Sequence, residues 1–222
     1  MTMTSLYRAS VVSMLFVAGA ASAAGATDEP FSTELTALQQ EWDAAKFGTT
    51  EKHARDAAFT AVVAHATELT AKYPHEVAAV AWKGIVLSTY AGEVSAMSAM
   101  KYAKAAREAL LRAERMQPDA LNGGVYASLG ALYSKVPGGF LGFGDDELAT
   151  EYFRKALAVD PSNIDSNYFY GEFLLDQGEY AEAATVLGRA LESPPVAGRP
   201  VFDAGRRAEI RELLAVARRK AS

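Results

Sequence analysis

The chain contains no cysteine. Disulfides, thiol nucleophiles and thiolate zinc sites are therefore excluded. Histidine is nearly as scarce, with only His53, His65 and His75. No two of these stand four residues apart, so the paired-ligand spacing of a helical metal site is missing. None has a Ser or carboxylate companion that would point to a nucleophilic centre. No metal, no cofactor and no catalytic residue is expected. An excess of positive charge is lacking too: 22 Lys and Arg face 27 Asp and Glu, for a formal net charge of −5. A concentrated basic face for nucleic-acid phosphates is therefore not expected.

Segments alternating with period two are short, and runs of β-branched residues are few. Alanine is abundant instead, which favours helices packed closely side by side. Half of the 222 residues are hydrophobic and 22% are charged, the composition of a folded chain and not a disordered one. That length suffices for one ample core or a small array of repeats.

At the N-terminus Arg8 precedes the apolar run Val11–Ala21 and then Ala21-Ser22-Ala23. A charged start, a short apolar middle and small residues at the end are the parts of a secretory signal peptide, with cleavage expected after Ala23. The run is too short for a membrane anchor, since spanning takes about 20 residues. Removal of residues 1–23 takes away only Arg8 among the charges and makes the net charge −6. With no Cys to lipidate, the exported protein is expected free in the periplasm or secreted.

Residues 24–73 read as an N-terminal helical segment. Ala24–Pro30 is a small, polar lead-in. Ser32 or Thr33 can cap a helix through Lys46 with Leu35, Leu38 and Trp42 on one face. Gly48 ends it, and Thr49-Thr50 can cap a second helix carrying Phe59, Val62, Val63, Ala66 and Leu69 before Tyr73-Pro74.

Residues 74–222 are organised by repetition. The stretch Asn163–Pro195 reads as one helix from about Ile164 to Gln177, a stop at Gly178, and a second helix from Glu179 to the prolines. The second helix recurs with one spacing: Ala106, Leu110, Ala113 and Pro118; then Ala149, Phe153, Ala156 and Pro161; then Ala183, Leu187, Ala190 and Pro195. The first helix recurs through Gly84 and Leu87, Gly130 and Tyr133, Gly171 and Leu174. A fainter copy lies at Val62, Ala66, Leu69 and Pro74. Three aligned sets closed by proline predict an all-α fold, an α-solenoid of about three helix–turn–helix repeats.

The pattern resembles the tetratricopeptide repeat (TPR), whose unit has 34 residues. Closing prolines are 34 residues apart from Pro161 to Pro195, but 43 from Pro118 to Pro161 and 44 from Pro74 to Pro118. The extra residues fall between the paired helices. They are Gly92–Lys104, read as an extended second helix, and the segment from Pro137 to Gly144. Phe140, Leu141 and Phe143 are too apolar for a solvated turn, so this segment is expected to fold back onto the solenoid, as a plug or as a roof over a groove. It lacks the Lys-Ser/Thr of a phosphate loop. Asp145 or Gly144 caps the following helix. A last helix from about Asp203 to Lys220 should cover the end of the stack. Residues 199–222 carry a local net charge of +4, read as a solvated cap.

The resemblance implies that the first helix of each pair lines a concave groove. Carried onto this chain, the groove positions are Ala78, Ala81, Ile85 and Ser88, then Ala127, Ala131, Ser134 and Lys135, then Tyr168, Glu172, Leu175 and Asp176. The Lys, Arg and Asn of carboxylate-clamping family members are absent from several of them. Tyr168, Phe169, Tyr170 and Phe173 cover every face of one helix, so some must be core while at least one can face the groove. The candidate binding residues are Ala127, Ala131, Lys135, Phe140, Phe143, Tyr168, Glu172 and Asp176.

These features point first to a non-enzymatic periplasmic module that binds a protein or peptide in the cell envelope. The repeat region and the Gly-rich interruption before a helix are also similar to the T-component proteins of tripartite (TRAP) periplasmic transporters. That resemblance implies a carrier of a small apolar ligand. An enzyme ranks third, since Glu172 and Asp176, one helical turn apart, form the only carboxylate pair considered for a reaction.

Overall fold

A computed structural model describes residues 29–222; the signal peptide expected at residues 1–23 and most of the lead-in lie outside them. Nine α-helices hold about three quarters of the described residues. They are α1 (Glu29–Asp43), α2 (Lys52–Lys72), α3 (Val77–Glu93), α4 (Ala96–Met116), α5 (Gly124–Lys135), α6 (Asp146–Val159), α7 (Ile164–Asp176), α8 (Tyr180–Glu192) and α9 (Pro200–Ala221). No strand occurs among the described residues. Consecutive helices pair as α3/α4, α5/α6 and α7/α8, with α1/α2 ahead of them, and the first helices α3, α5 and α7 adjoin one another. This is the α-solenoid that the three aligned sets predict.

The glycines at matched positions explain why the pairs close so tightly. A Cβ on Gly84 would stand 2.6 Å from Leu110 Cγ, one on Gly130 2.8 Å from the Phe153 ring, and one on Gly171 2.5 Å from Leu187 Cγ. Each repeat therefore sets the bare backbone of its first helix against the large apolar residue of its second. Leu110, Phe153 and Leu187 are fully buried, as are the alanines at Ala106, Ala149 and Ala183. Burial of such large side chains supplies roughly 1.5–3 kcal/mol each. Tyr170 and Phe173 join this layer, both with ring centroids 5.6 Å from that of Phe153.

Helix ends follow local chemistry, with two departures from expectation beyond the start of α1, which already runs from Glu29 and so holds the expected caps Ser32 and Thr33 inside it, Thr33 donating to Glu29 O at 3.0 Å. The Asp145 carboxylate accepts from Leu148 N at 2.9 Å and Asn163 Oδ1 accepts from Ser166 N at 2.9 Å. The cap of α2 is Glu51, however, and not Thr49 or Thr50; its carboxylate accepts from His53 N at 2.9 Å and Ala54 N at 2.6 Å. Those two backbone donors hold the Glu51 carboxyl below its ordinary range. Thr49 is engaged on the other side, donating to Ala44 O across a wide π turn at Ala44–Gly48 that extends α1. The second departure is α9, which starts at Pro200, ahead of the expected Asp203. Proline is well suited to a first helical turn, where its missing N–H would have had no partner. The extended second helix expected across the insertion at 92–104 is present as the 21-residue α4.

Because Gly171 faces Leu187 Cγ and not a free side-chain end, Gly171→Ala should lower stability by about 1–3 kcal/mol through overpacking. Urea unfolding monitored by circular dichroism measures it, and an unchanged midpoint would refute the close-approach account.

Candidate functional site

The first helices turn one face to a common interior, and small residues keep that interior open. Ala127, Ser128 and Ala131 of α5 lie opposite Ile85 and Ser88 of α3 and Tyr168, Phe169 and Glu172 of α7. The result is a cavity of about 800 Å³, within the usual range for ligand sites. A groove open at both ends is what three stacked pairs alone would form. Here the two ends of the described helical array also contribute wall, Trp42 and Lys46 from α1 and the turn after it and Arg199, Phe202 and Arg206 from α9 and the residue before it.

The ends meet through a cation-and-aromatic clasp. Arg199 donates through Nε to Asp43 Oδ2 at 3.1 Å and through Nη2 to Asp43 Oδ1, joining residues 156 apart in sequence. Its guanidinium lies 4.2 Å from the Phe202 ring centroid and 4.9 Å from that of Trp82. Arg206 is fully buried, donating through Nε to Asp165 Oδ1 at 2.7 Å and through Nη1 to Glu209, with the Tyr168 ring 4.0 Å away. Lys46 pairs with Glu209 at 3.1 Å across the same junction. At Gly205 α9 comes so near the π turn that a Cβ would stand 2.3 Å from Phe47. Burial pushes the Asp43 carboxyl up, and its hydrogen bond from Arg199 opposes that rise.

This junction narrows the reading of the basic C-terminus as a solvated cap, which holds for the exposed Arg211, Arg218, Arg219 and Lys220. Arg199, Arg206 and Arg207 are spent internally. Arg207 donates to Asp203 Oδ2 at 2.9 Å and to the carbonyl oxygens of Leu191 and Ser193, both at 2.8 Å. Arginine suits such a place because its planar fork can satisfy several acceptors while its face stacks on rings.

Charge on the cavity wall is balanced throughout. Lys135 Nζ stands 2.6 Å from Asp176 Oδ2 and 3.2 Å from Glu172 Oε1. Burial alone would lower the Lys135 ammonium, but those two carboxylates raise it overall. Glu93 pairs with Arg55 at 2.9 Å. Together with the clasp pairs, this leaves every charged side chain on the wall with an opposite partner. Two of the wall hydroxyls are engaged as well: Thr89 Oγ1 accepts from Trp42 Nε1 at 3.1 Å, and Ser128 donates to Gly124 O at 2.8 Å. Burial strongly disfavours ionisation of the Tyr168 hydroxyl.

The candidate residues divide three ways. Ala127, Ala131, Lys135, Tyr168 and Glu172 line the cavity; Asp176 stands behind the wall as the partner of Lys135. Phe143 folds back as expected, edge-on to Tyr133 at 5.7 Å and under the Arg107 guanidinium at 4.0 Å. Phe140 and Leu141 do not. They are 111% and 78% exposed at the tip of the loop, because the short turn at Gly139–Leu141 directs them outward. Of the other groove positions, Ile85 and Ser88 reach the cavity, whereas Ala81 is buried between helices. Among the four aromatics of α7, Tyr168 and Phe169 face the cavity and Tyr170 and Phe173 the core.

Some wall residues had no signal in the repeat pattern. Trp42, Trp82, Arg199 and Arg206 belong to the closure, which links the two ends of the chain. Leu121, Asn122 and Gly123 form another such feature, with φ of 56°, 52° and 82°. Three successive left-handed residues are unusual, and the first two are not glycine. Leu121 and Asn122 end the cavity between α4 and α5. The Leu-Asn-Gly-Gly sequence there was the one available hint.

Residues 141–197 match the family model described as tetratricopeptide repeat. The fold is a TPR-like α-solenoid. A thermophilic TPR protein of Thermus thermophilus has a similar structure, with a TM-score of 0.55 and 15% identity over 83% of this chain and 99% of that one. No curated protein matches the sequence. Repeats of this type generally mediate protein–protein interaction. No described helix is long and apolar enough to cross a membrane.

Removing one partner of the clasp should strand a buried charge. Asp43→Ala is expected to cost about 3–5 kcal/mol, and Asp43→Ala with Arg199→Met to recover most of that loss. Denaturant unfolding of both single variants and the double variant supplies the cycle; additive losses would refute the pairing.

Proposed function

We propose that this chain is a non-enzymatic binding module, exported to the periplasm, that receives a short apolar segment of a cell-envelope protein in its central cavity. The observation that carries this reading is the cavity wall: small and apolar residues from successive first helices, with every charge already neutralised within the protein. Such a wall offers no unpaired cation to a terminal carboxylate and no unpaired anion to a basic peptide. An occupant gains instead by removing apolar surface from water, at about 25 cal/mol per Å². The Arg8, Val11–Ala21 and Ala21-Ser22-Ala23 pattern supports export.

The closure favours a second reading, a carrier of a small apolar ligand like the T-component proteins. A wall completed by both chain ends makes a compact chamber, and a compact chamber suits a molecule that enters whole. Native mass spectrometry of freshly purified protein, followed by solvent extraction, separates the two readings. A retained small molecule supports the carrier. An empty chamber, with a protein partner enriched by mild crosslinking in envelope extracts, supports the interaction module.

Either occupant would lie against Ala131, one of the small residues that line the cavity. Ala131→Trp is expected to reduce recovery of the crosslinked partner, or of the retained small molecule, at least tenfold, corresponding to about 1.4 kcal/mol. The helical signal and unfolding midpoint should be nearly unchanged. Undiminished recovery would place the site elsewhere.

A further inference from the structure

The loop between α5 and α6 is built to hold apolar side chains in solvent. Its stem is tight: Gly144 N donates to Pro137 O at 3.0 Å and Asp145 N to Tyr133 O at 2.9 Å. A Cβ on Gly144 would stand 1.8 Å from Val136 O, and one on Gly142 2.3 Å from Pro137 O, so the two sides of the stem touch through bare backbone. Phe143 is pinned between Tyr133 and Arg107. With the base fixed in this way, Phe140 and Leu141 stand clear of the protein. Met97, at the start of the neighbouring helix α4, is 94% exposed. These are the three most exposed large apolar side chains among the described residues.

Two observations indicate what would cover them. The first is area. Three such side chains, at no more than about 200 Å² each, fall short of the roughly 800 Å² per partner that a specific protein interface or dimer buries. A lipid surface requires no such reciprocal patch, because isolated apolar side chains can enter it singly. The second is charge. From Ala96 to Arg107, α4 carries Lys101, Lys104 and Arg107 and no carboxylate. Lys101 and Lys104 are exposed, and none of the three is in an ion pair among the described residues. Carboxylates flank the loop too: Asp145 and Asp146, held at the start of α6 by hydrogen bonds from Leu148 N and Gln177 at 2.9 and 3.0 Å, keep their charge, as do Glu147 and, on α4, Glu108; Lys101 and Lys104 differ in sharing the Met97 face of α4, four and seven residues on.

We propose that this tip is a peripheral membrane-docking element: Phe140, Leu141 and Met97 enter the interfacial region of an anionic bilayer while Lys101, Lys104 and Arg107 lie over its headgroups. Aromatic and aliphatic side chains flanked by cations are the side-chain chemistry of interfacial binding. Val136 and Pro137 at the base of the loop, together with Ala99 and Met100 of α4, belong to the cavity wall. Docking therefore brings one side of the cavity to the lipid surface. The inference stands on the loop and α4 alone and does not depend on what fills the cavity.

The test uses the full chain and its Phe140→Ser/Leu141→Ser variant, so that any affinity of the N-terminal apolar segment is common to both. Sedimentation with phosphatidylglycerol/phosphatidylcholine vesicles should show the variant partitioning at least tenfold more weakly than the wild type. Binding of the wild type should fall as salt is raised or as phosphatidylcholine replaces the anionic lipid. Phe140→Trp provides a local reporter, whose emission should shift to the blue on addition of the anionic vesicles. Equal partitioning of wild type and double variant, or an unshifted emission from the Phe140→Trp reporter, would overturn the proposal. So would vesicle-independent self-association that the double substitution abolishes, since the tip would then be a contact between copies of the chain.

Discussion

The close approach of paired helices at a bare backbone position is the constraint on which the rest of this structure depends. Gly84, Gly130 and Gly171 admit Leu110, Phe153 and Leu187 to distances that any Cβ would obstruct. Once that approach is made, the alanines one turn away are buried as well, and the second helix of each pair has a single seat on the first. A uniform seat means that successive pairs stack with one geometry and direct their first helices to one side. The concave interior is a product of that repetition.

The chain ends then decide what kind of interior it is. A stack of three pairs would leave an open groove, but here α9 returns to the π turn that follows α1. The clasp of Asp43 with Arg199, the buried Arg206 and the packed rings of Trp42, Trp82 and Phe202 bring these ends together. Buried ion pairs of this kind contribute little net stability, because desolvation offsets most of their attraction. Their effect is on specificity: an unpaired Asp43 or Arg206 in that environment is costly, so ends that meet in any other register are disfavoured. The cavity gains this further wall because those charges find each other.

The insertion between α5 and α6 is the point at which one repeat departs most from its neighbours. Its sequence is apolar enough to belong to a core, and one of its aromatics, Phe143, behaves accordingly. Phe140 and Leu141 are held outward by a stem whose two sides touch at Gly142 and Gly144. Apolarity alone does not distinguish these outcomes. Direction comes from the backbone of the turn, which a hydrophobic pattern does not encode.

Much of the fold is legible in the order of residues alone. The recurrent Ala, Leu or Phe, Ala and Pro set places the second helices, and the recurrent Gly places the first helices against them, because both follow from local periodicity and steric size. Ala127, Ala131, Lys135, Tyr168 and Glu172 could be assigned to one concave face through the resemblance to the tetratricopeptide repeat. The division of the α7 aromatics between cavity and core followed once the helix was oriented. The closure was not legible, since Asp43 and Arg199 lie 156 residues apart and share no period. The use of Arg206 inside the protein was hidden as well, because a cation in a basic terminal helix ordinarily remains in water. The sequence by itself determined that this protein is a repeat of helical pairs, since spacing and side-chain size act within one or two turns. Only the tertiary structure decided that α9 returns to the turn after α1, that charges are matched across that join, and that Phe140 faces outward. Those outcomes depend on distances between parts of the chain that no local pattern relates.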